Sequence, residues 1–396
     1  MTWQTSRRNL LRAGVALAGA GVLQACGSNN APPAQTPALP AQAVAPKPRR
    51  TAPTTGNNVL RVIASSGFGA DQNRIQMGLN RLQGAGFTVT NQQAAYRRYQ
   101  RFAGMDVERI ADFQEVATGR VATPKVLMGF RGGYGAQRLL PHIDFANLGA
   151  RMREQGTLFF GFSDVCALQL ALLAKGNMCS FAGPMVYSEF GKNPPSTYTM
   201  DSFINCTTNQ QSTVNVLEVQ RSVVPNIEGT LWGGNLSVLA ALAGTPYFPD
   251  VKGGLLFLED VGEQPYRIER MLQTLLLAGV LQKQQAIVLG DFRMGTIRDV
   301  YDSSYDLFTV SNLISRAARV PVLTGFPFGH ITHKTSFPLG ALARVRGNSN
   351  GGYSVTFSDY PTLNRASLSL ETLLPQVNFG ITGQFNNVTE DSGDLE

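Results

Sequence analysis

The chain has 396 residues, of which 43% are hydrophobic and 15% charged, with a formal net charge of +7. This length supports two packed domains, and four cysteines are too few for a disulfide scaffold. Six basic and no acidic side chains precede Val59, which leaves a net charge of only +1 and no dense basic run beyond it, and this argues against a nucleic-acid partner.

The first 26 residues have the features of an export signal. Arg7 and Arg8 precede an apolar stretch over 13–23, which is too short for a permanent transmembrane helix. The paired arginines resemble a bacterial twin-arginine signal, and an ordinary secretory signal is the alternative. We therefore predict that residues 1–26 direct export to the periplasm.

The signal ends in Leu-Gln-Ala-Cys, which resembles a lipoprotein cleavage site and predicts acylation of Cys26. The alternative is a free cysteine within the signal. Residues 27–58 are rich in proline, alanine and threonine, so they are expected to form an extended tether. Gly27 and Ser28 lack the aspartate that retains some lipoproteins at the inner membrane, which favours an outer-membrane anchor.

Residues 59–190 are predicted to form an α/β domain. Apolar strands are predicted over 59–64, 87–90 and 125–130, with helical segments between them. This alternation is typical of a parallel sheet with helices on both faces, in which ligands bind beyond the carboxyl ends of the strands. A loop with three glycines, 131–135, follows the third strand at that edge.

The next predicted strand, 158–160, breaks at Gly161 before a helix, and Ser163 lies at this turn. A serine on a sharp strand-to-helix turn exposes its hydroxyl above the sheet and is a candidate nucleophile. The alternative is an N-cap, because a serine hydroxyl satisfies a free helix N–H. The backbone N–H groups of Gly133 and Asp164 follow consecutive strands, and we predict that they form an oxyanion hole.

Residues 191–226 are predicted to link this domain to a second one over 227–364. A buried strand at 255–258 ends in Glu259, which is either a site residue or a solvated carboxylate. His330 follows a predicted strand and a glycine, so we expect its ring at a strand end and predict that it is the catalytic base. The alternative base is His333.

Three further cysteines remain after the signal: Cys166, Cys179 and Cys206. Cys166 and Cys179 lie in apolar surroundings where buried free thiols are common, although one disulfide among the three is left open. The sequence contains no C-x-x-C or H-E-x-x-H pattern and no complete dinucleotide fingerprint. No metal and no cofactor are therefore predicted.

Five motifs, taken together and in order, resemble the LD-carboxypeptidases of murein recycling, a family that includes the microcin C immunity peptidases. They are Arg131-Gly-Gly-Tyr-Gly, Gly161-Phe-Ser-Asp, Leu231-Trp-Gly-Gly-Asn-Leu, Leu258-Glu-Asp-Val-Gly-Glu-Gln-Pro-Tyr-Arg and Phe328-Gly-His. The resemblance covers roughly residues 59–345. It implies a Rossmann-like N-terminal domain, a smaller swivelling C-terminal β/α domain and, usually, a homodimer.

The resemblance also implies a triad of Ser163 as nucleophile, His330 as base and Glu259 as the residue that orients it. The expected reaction cleaves the bond between the L-centre of a diamino acid and a terminal D-alanine in murein peptides. Expected substrate-binding residues are Arg131, Tyr134, Trp232, Asn235 and Arg267.

The sequence departs from the family pattern in three respects. Many members lack a signal, Phe162 stands where tyrosine is common, and residues 365–396 extend beyond the family core. The alternatives for function are a peptidase for 3–3 cross-links or peptide-nucleotides, and a lipid-anchored murein-binding protein without activity.

Overall fold

A computed structural model describes residues 58–220 and 223–375 of the chain. The predicted signal, Cys26, nearly all of the tether and the acidic C-terminal tail lie outside these described residues. No helix in the two described ranges combines the length and apolarity needed to cross a bilayer.

Strands and helices alternate through most of the described chain. The strands are β1 (Val59–Ile63), β2 (Thr88–Thr90), β3 (Val126–Gly129), β4 (Leu158–Gly161), β5 (Ser180–Ala182), β6 (Gln211–Val216), β7 (Ile227–Asn235), β8 (Leu255–Glu259), β9 (Ala286–Leu289), β10 (Val322–Leu323), β11 (Phe337–Leu339), β12 (Ala341–Gly347) and β13 (Tyr353–Ser358). The helices are α1 (Gln72–Gly84), α2 (Asp106–Ala117), α3 (Phe145–Gln155), α4 (Cys166–Gly176), α5 (Thr197–Thr208), α6 (Leu236–Leu242), α7 (Pro265–Leu277) and α8 (Leu307–Ala318).

The first sheet has the order β11-β5-β4-β3-β1-β2. Its strands β1 to β5 run parallel, as the sequence predicted, and their apolar residues are buried because helices cover the sheet. The carboxyl ends of β3 and β4 are neighbours, so the glycine loop after β3 lies beside the turn after β4. This adjacency brings the glycine loop and the turn that carries Ser163 together at one edge of the first sheet.

The second sheet has the order β10-β9-β8-β7-β12-β13-β6. Strands β7 to β10 are parallel, and β12, β13 and β6 extend the sheet in antiparallel pairs. The segment 191–226, predicted as a linker, contains α5 and the edge strand β6 of this sheet. The residues of β6 are mostly polar and alternate between solvent and the protein interior. They therefore gave little indication of a strand in the sequence.

Strand β11 connects the two sheets. It follows the second-sheet segment in the chain but pairs with β5 of the first sheet. Its Phe337 packs edge-on against Phe257, Phe326 and Phe328, with ring centroids 4.9–5.0 Å apart. Aromatic packing of this kind buries a large apolar area and fixes the sheets against each other. This contact therefore also holds together the two halves of the site, one of which follows strands of the first sheet and the other strands of the second.

Residues 365–375 form short turns against the first domain. The Ser369 N–H donates to the carbonyl of Ala85 just after α1, and the Ser367 hydroxyl donates to Asn58. This part of the predicted C-terminal extension therefore packs on the fold.

Candidate active site

Ser163 lies on a strained turn directly after β4. Its φ is +59°, a left-handed conformation that a non-glycine residue adopts only at a cost of about 1–3 kcal/mol. The preceding residue, Phe162, has an extended backbone, so the chain reverses sharply at the serine. The serine hydroxyl does not cap α4, whose N-cap position is Val165 and has no side-chain capping bond. The N-cap alternative is therefore not what the structure shows.

The Ser163 hydroxyl lies 3.0 Å from Nε2 of His330. The other ring nitrogen, Nδ1, lies 2.9 Å from Oε2 of Glu259. With the carboxylate accepting from Nδ1–H, Nε2 is left to accept the serine proton, which is the arrangement that a general base needs. Three side chains from distant parts of the sequence thus form one continuous hydrogen-bonded chain.

Glu259 ends β8, and His330 follows Gly329 in the loop after β10. Gly329 has a φ of +148°, and an added Cβ would lie 2.5 Å from the carbonyl oxygen of Asp291. The glycine is thus required for the loop to pass this close to the strand end. His333, the alternative base, is exposed and its Nδ1 bonds to the Ser196 hydroxyl at 2.8 Å, so it does not adjoin Ser163.

Asn235 supports the glutamate rather than facing the cavity beside Ser163. Its Nδ2 donates to Oε1 of Glu259 at 3.2 Å and to Oδ1 of Asp260 at 3.3 Å, and only 5% of the residue is exposed. Its Oδ1 accepts from the Val238 N–H and so caps α6. The expected substrate contact of Asn235 is corrected here, because both ends of its amide are already bonded. An asparagine between a strand and a helix was the sequence signal for the cap.

A second buried carboxylate, Asp260, lies next to Glu259. It accepts hydrogen bonds from the N–H and the hydroxyl of Ser237, both at 2.8 Å. Burial, together with the charge of Glu259, raises the pKa of Asp260. Sequence reasoning did not assign this residue a role.

The glycine loop after β3 packs directly on the serine. A Cβ on Gly132 would lie 2.7 Å from both Oγ and Cβ of Ser163. Gly133 follows with a φ of +111°. The carboxylate of Asp164 accepts the Ala136 N–H at 2.8 Å and so ties the loop to the serine turn. Burial raises the pKa of this carboxyl.

The ring of Phe162 lies against His330, with centroids 5.3 Å apart, and the Lys334 ammonium lies 4.3 Å from the same ring. Lys334 forms an ion pair with Glu189, and both side chains are 3% exposed. Glu189 belongs to a short π-helix, a type of turn found frequently at functional sites. No sequence pattern marked this pair, because its members are 145 positions apart.

A cavity of about 80 Å³ opens beside Ser163 and His330. Four basic side chains line it: Arg131, Lys192, Arg293 and Lys334. No acidic side chain lines it among the described residues. Such a cavity suits a small anionic group.

The other expected substrate-binding residues have varied positions. Tyr134 is half exposed and lines a neighbouring cavity. Trp232 is fully buried and donates its indole N–H to Gln284 at 2.9 Å, so its expected role as a wall for substrate is corrected. Arg267 lies at the start of α7, is 56% exposed and pairs with Glu263, outside the residues that line the cavity beside Ser163.

The cysteines within the described ranges, Cys166, Cys179 and Cys206, are unpaired. Burial raises the pKa of each thiol, so the thiolate forms of all three are disfavoured. The disulfide left open by the sequence is therefore not formed among them.

Two family models match the chain: the LD-carboxypeptidase N-terminal domain over residues 60–183 and the LD-carboxypeptidase C-terminal domain over residues 228–345. A probable murein peptide carboxypeptidase of Bacillus subtilis is 32% identical over 277 residues, which are 69% of this chain and 85% of that protein. The murein tetrapeptide carboxypeptidase of Pseudomonas aeruginosa is 31% identical over 261 residues, which are 63% of this chain and 81% of that protein.

The fold comparison agrees with these matches. The crystal structure of muramoyltetrapeptide carboxypeptidase from Oxalobacter formigenes is 38% identical and has a TM-score of 0.69. It covers 77% of this chain and 100% of the other. The chain therefore belongs to the LD-carboxypeptidase family and is a serine-type LD-carboxypeptidase.

Proposed function

We propose that this protein removes the terminal D-alanine from murein tetrapeptides by hydrolysing its bond to the L-centre of the diamino acid. The observation that carries this proposal is the hydrogen-bonded chain Ser163–His330–Glu259 at the mouth of a small cavity lined by cations. The relatives named for murein peptides support the choice of substrate.

The reaction proceeds through an acyl-enzyme. Ser163 attacks the scissile carbonyl while His330 takes its proton, and Glu259 holds the ring and stabilises its charged form. The N–H groups of Gly133 and Asp164 stabilise the oxyanion. His330 then returns the proton to the departing amine of D-alanine, and a water molecule activated by the same histidine releases the shortened peptide.

The cavity beside Ser163 receives the departing residue. Its volume of about 80 Å³ suits an amino acid as small as alanine. Arg131, Lys192 and Arg293 supply positive charge for the terminal carboxylate, which an internal residue of a peptide lacks. This combination favours a carboxypeptidase over an endopeptidase that acts on 3–3 cross-links.

We further propose that the enzyme works in the periplasm, held to a membrane by acylated Cys26, with the outer membrane favoured, and that it forms a homodimer. The paired arginines and the Leu-Gln-Ala-Cys sequence support export and acylation, and the family resemblance supports the dimer. Metabolic labelling with a palmitate analogue, with a Cys26→Ala control, tests the anchor, and light scattering tests the dimer.

The activity is tested by incubating the purified protein with murein tetrapeptide and with a 3–3 cross-linked dimer, followed by mass spectrometry. We expect tripeptide and free D-alanine from the tetrapeptide, with no product from the Ser163→Ala variant. Cleavage of only the dimer would establish an endopeptidase instead. Binding of tetrapeptide without turnover would establish an inactive murein-binding protein.

A further inference from the structure

The buried ion pair of Lys334 with Glu189 joins two parts of the chain that carry different halves of the site. Lys334 follows His330 in the segment that leads to β11. Glu189 lies in the short π-helix, Val186–Phe190, that comes after β5 of the first sheet. The ion pair is therefore a contact between the segment of the catalytic base and the sheet that carries Ser163.

The π-helix gives Glu189 a fixed position on the first sheet. The Tyr187 N–H donates to the carbonyl of Phe130, directly after β3, at 2.8 Å. One oxygen of the Glu189 carboxylate accepts the Met185 N–H at 2.9 Å, and the other accepts from the Lys334 ammonium. Lys334 therefore meets a carboxylate whose position is determined by the backbone of the first domain.

The Lys334 ammonium also contacts the ring that packs on the catalytic base. It lies 4.3 Å from the centroid of the Phe162 ring, which is within the range of a cation–π interaction. The same ring lies 5.3 Å from the His330 ring, at an interplanar angle of 65°. Phe162 also directly precedes Ser163 in the chain. Phe162 is thus the residue through which the ion pair acts on both the base and the nucleophile.

The backbone around Lys334 is held separately from its side chain. The Lys334 N–H donates to the Thr199 hydroxyl at 3.1 Å. The Ser336 N–H donates to the Ser202 hydroxyl at 2.8 Å, so this stretch of chain is bound to α5 at two points. Neither bond involves the charges of the ion pair. Loss of the ammonium should therefore change the packing on Phe162 while the path of the chain is kept.

Stability alone is a poor explanation for this ion pair. Taking two opposite charges out of water costs free energy, which their attraction repays only when the geometry is good. Two uncharged side chains of similar size can therefore stabilise a fold as well as a buried ion pair does. The Lys334 charge is also compensated by Glu189, so it is not free for a substrate carboxylate. What remains is the position that the pair gives to the residues around it.

We propose that the ion pair of Lys334 with Glu189 positions the catalytic base. Through the Phe162 ring it holds His330 within reach of the Ser163 hydroxyl. Lys334 is accordingly a positioning residue, which acts through Phe162 and does not contact the reacting atoms. This role rests on the proposed function, because it presupposes the triad. Loss of a positioning residue lowers kcat, whereas loss of a substrate contact raises KM.

The test measures how fast a fluorophosphonate probe labels Ser163 in the full-length protein. This rate reports activation of the serine and requires no knowledge of the natural substrate. Lys334→Met removes the charge and keeps an unbranched side chain. We expect it to lower both the labelling rate and kcat for murein tetrapeptide by about 10²-fold, as for a catalytic group misplaced by about 1 Å. KM should stay nearly unchanged.

The double variant Glu189→Gln/Lys334→Met separates position from stability. Replacing one partner leaves a buried charge unpaired, which should lower the midpoint of urea unfolding, and replacing both removes that penalty. We expect the double variant to regain the midpoint of the unsubstituted protein while its labelling rate stays about 10²-fold low. A labelling rate that recovers together with the midpoint would overturn the proposal, because the pair would then be a structural contact only.

Arg61→Met is the matched control. Arg61 is also buried, and its Nη2 lies 2.7 Å from Oε2 of Glu115, but neither residue lines the cavity beside Ser163. This variant should lose stability and keep its labelling rate. An equal loss of labelling in Arg61→Met would overturn the proposal, as would a raised KM with unchanged labelling in Lys334→Met.

The same measurements distinguish failure of this role from failure of the proposed function. An unsubstituted protein that is not labelled at Ser163 refutes the triad and the positioning role together. Labelling without hydrolysis of tetrapeptide refutes the proposed substrate alone, and the labelling rates of the variants then decide the role of Lys334.

Discussion

The two halves of the site are held in place by different means. On the first sheet, Ser163 is fixed by its backbone, with a φ of +59° and Gly132 packed against its hydroxyl. On the second sheet, Glu259 is fixed through side chains, because Asn235 bonds both to it and to Asp260. The nucleophile half therefore depends mainly on close backbone packing, whereas the carboxylate of the base half depends mainly on side-chain hydrogen bonds.

The largest effect is expected in the base half, from Glu259→Gln. The amide cannot stabilise the charged His330 ring and favours the wrong tautomer, so kcat should fall by about 10⁴-fold. Steady-state hydrolysis of murein tetrapeptide measures the loss. Glu263→Gln, four residues further along, is the control and should retain activity. A loss below tenfold in Glu259→Gln would mean that Glu259 does not orient the base.

The nucleophile half is tested by Gly132→Ala. The new methyl group would lie 2.7 Å from the serine oxygen, which forces either the serine or the glycine loop to shift. A shift of this kind should lower kcat by about 10²-fold. Gly84→Ala is the control, because its Cβ meets no atom within 4 Å. Full activity of Gly132→Ala would show that the close contact is unimportant to the reaction.

A smaller effect is expected from Asn235→Ala. Loss of the amide that donates to Glu259 should lower kcat about tenfold and leave KM nearly unchanged, because Asn235 acts as a positioning residue. Steady-state kinetics measures kcat and KM separately, because a fall in kcat alone is what distinguishes a positioning residue from a substrate contact. A raised KM with an unchanged kcat would instead restore the direct substrate contact that the sequence suggested.

The smallest effect concerns the pH dependence of stability. Burial raises the pKa of Asp260 above its ordinary value of 3.8, so the folded state holds that proton more tightly than the unfolded state does. The free energy of unfolding should therefore fall as pH rises from about 4 through the raised pKa. Asp260→Asn should flatten this slope in urea titrations, whereas the exposed Asp250→Asn should not. An unchanged slope in Asp260→Asn would contradict this assignment.

Sequence patterns predicted strands β1 to β4 of the first sheet and the turn that carries Ser163. They succeeded because buried parallel strands are short apolar runs, and because a serine and glycines at consecutive strand ends must meet at one edge of the sheet. The resemblance to a family then supplied Glu259 and His330 as partners. Their proximity to Ser163 depends on how two sheets pack, which local patterns do not encode.

Because local patterns do not encode long-range packing, several features of the fold and the site could not be predicted from the sequence. Trp232 was expected to face substrate, but whether an aromatic residue is buried depends on which side of a strand the neighbouring helices cover. Strand β11 returns to the first sheet through a pairing with β5, far away in the chain. The ion pair of Lys334 with Glu189 likewise forms only when the chain is folded. Such long-range contacts leave no periodic signal.

The triad is tested most directly by labelling with a fluorophosphonate probe, followed by mass spectrometry of the proteolytic peptides. Only a serine activated by a base reacts readily with this reagent. We predict one adduct on Ser163, its loss in Glu259→Gln, and a decrease of tetrapeptide hydrolysis in proportion to labelling. Hydrolysis that persists while Ser163 stays unlabelled would contradict the account.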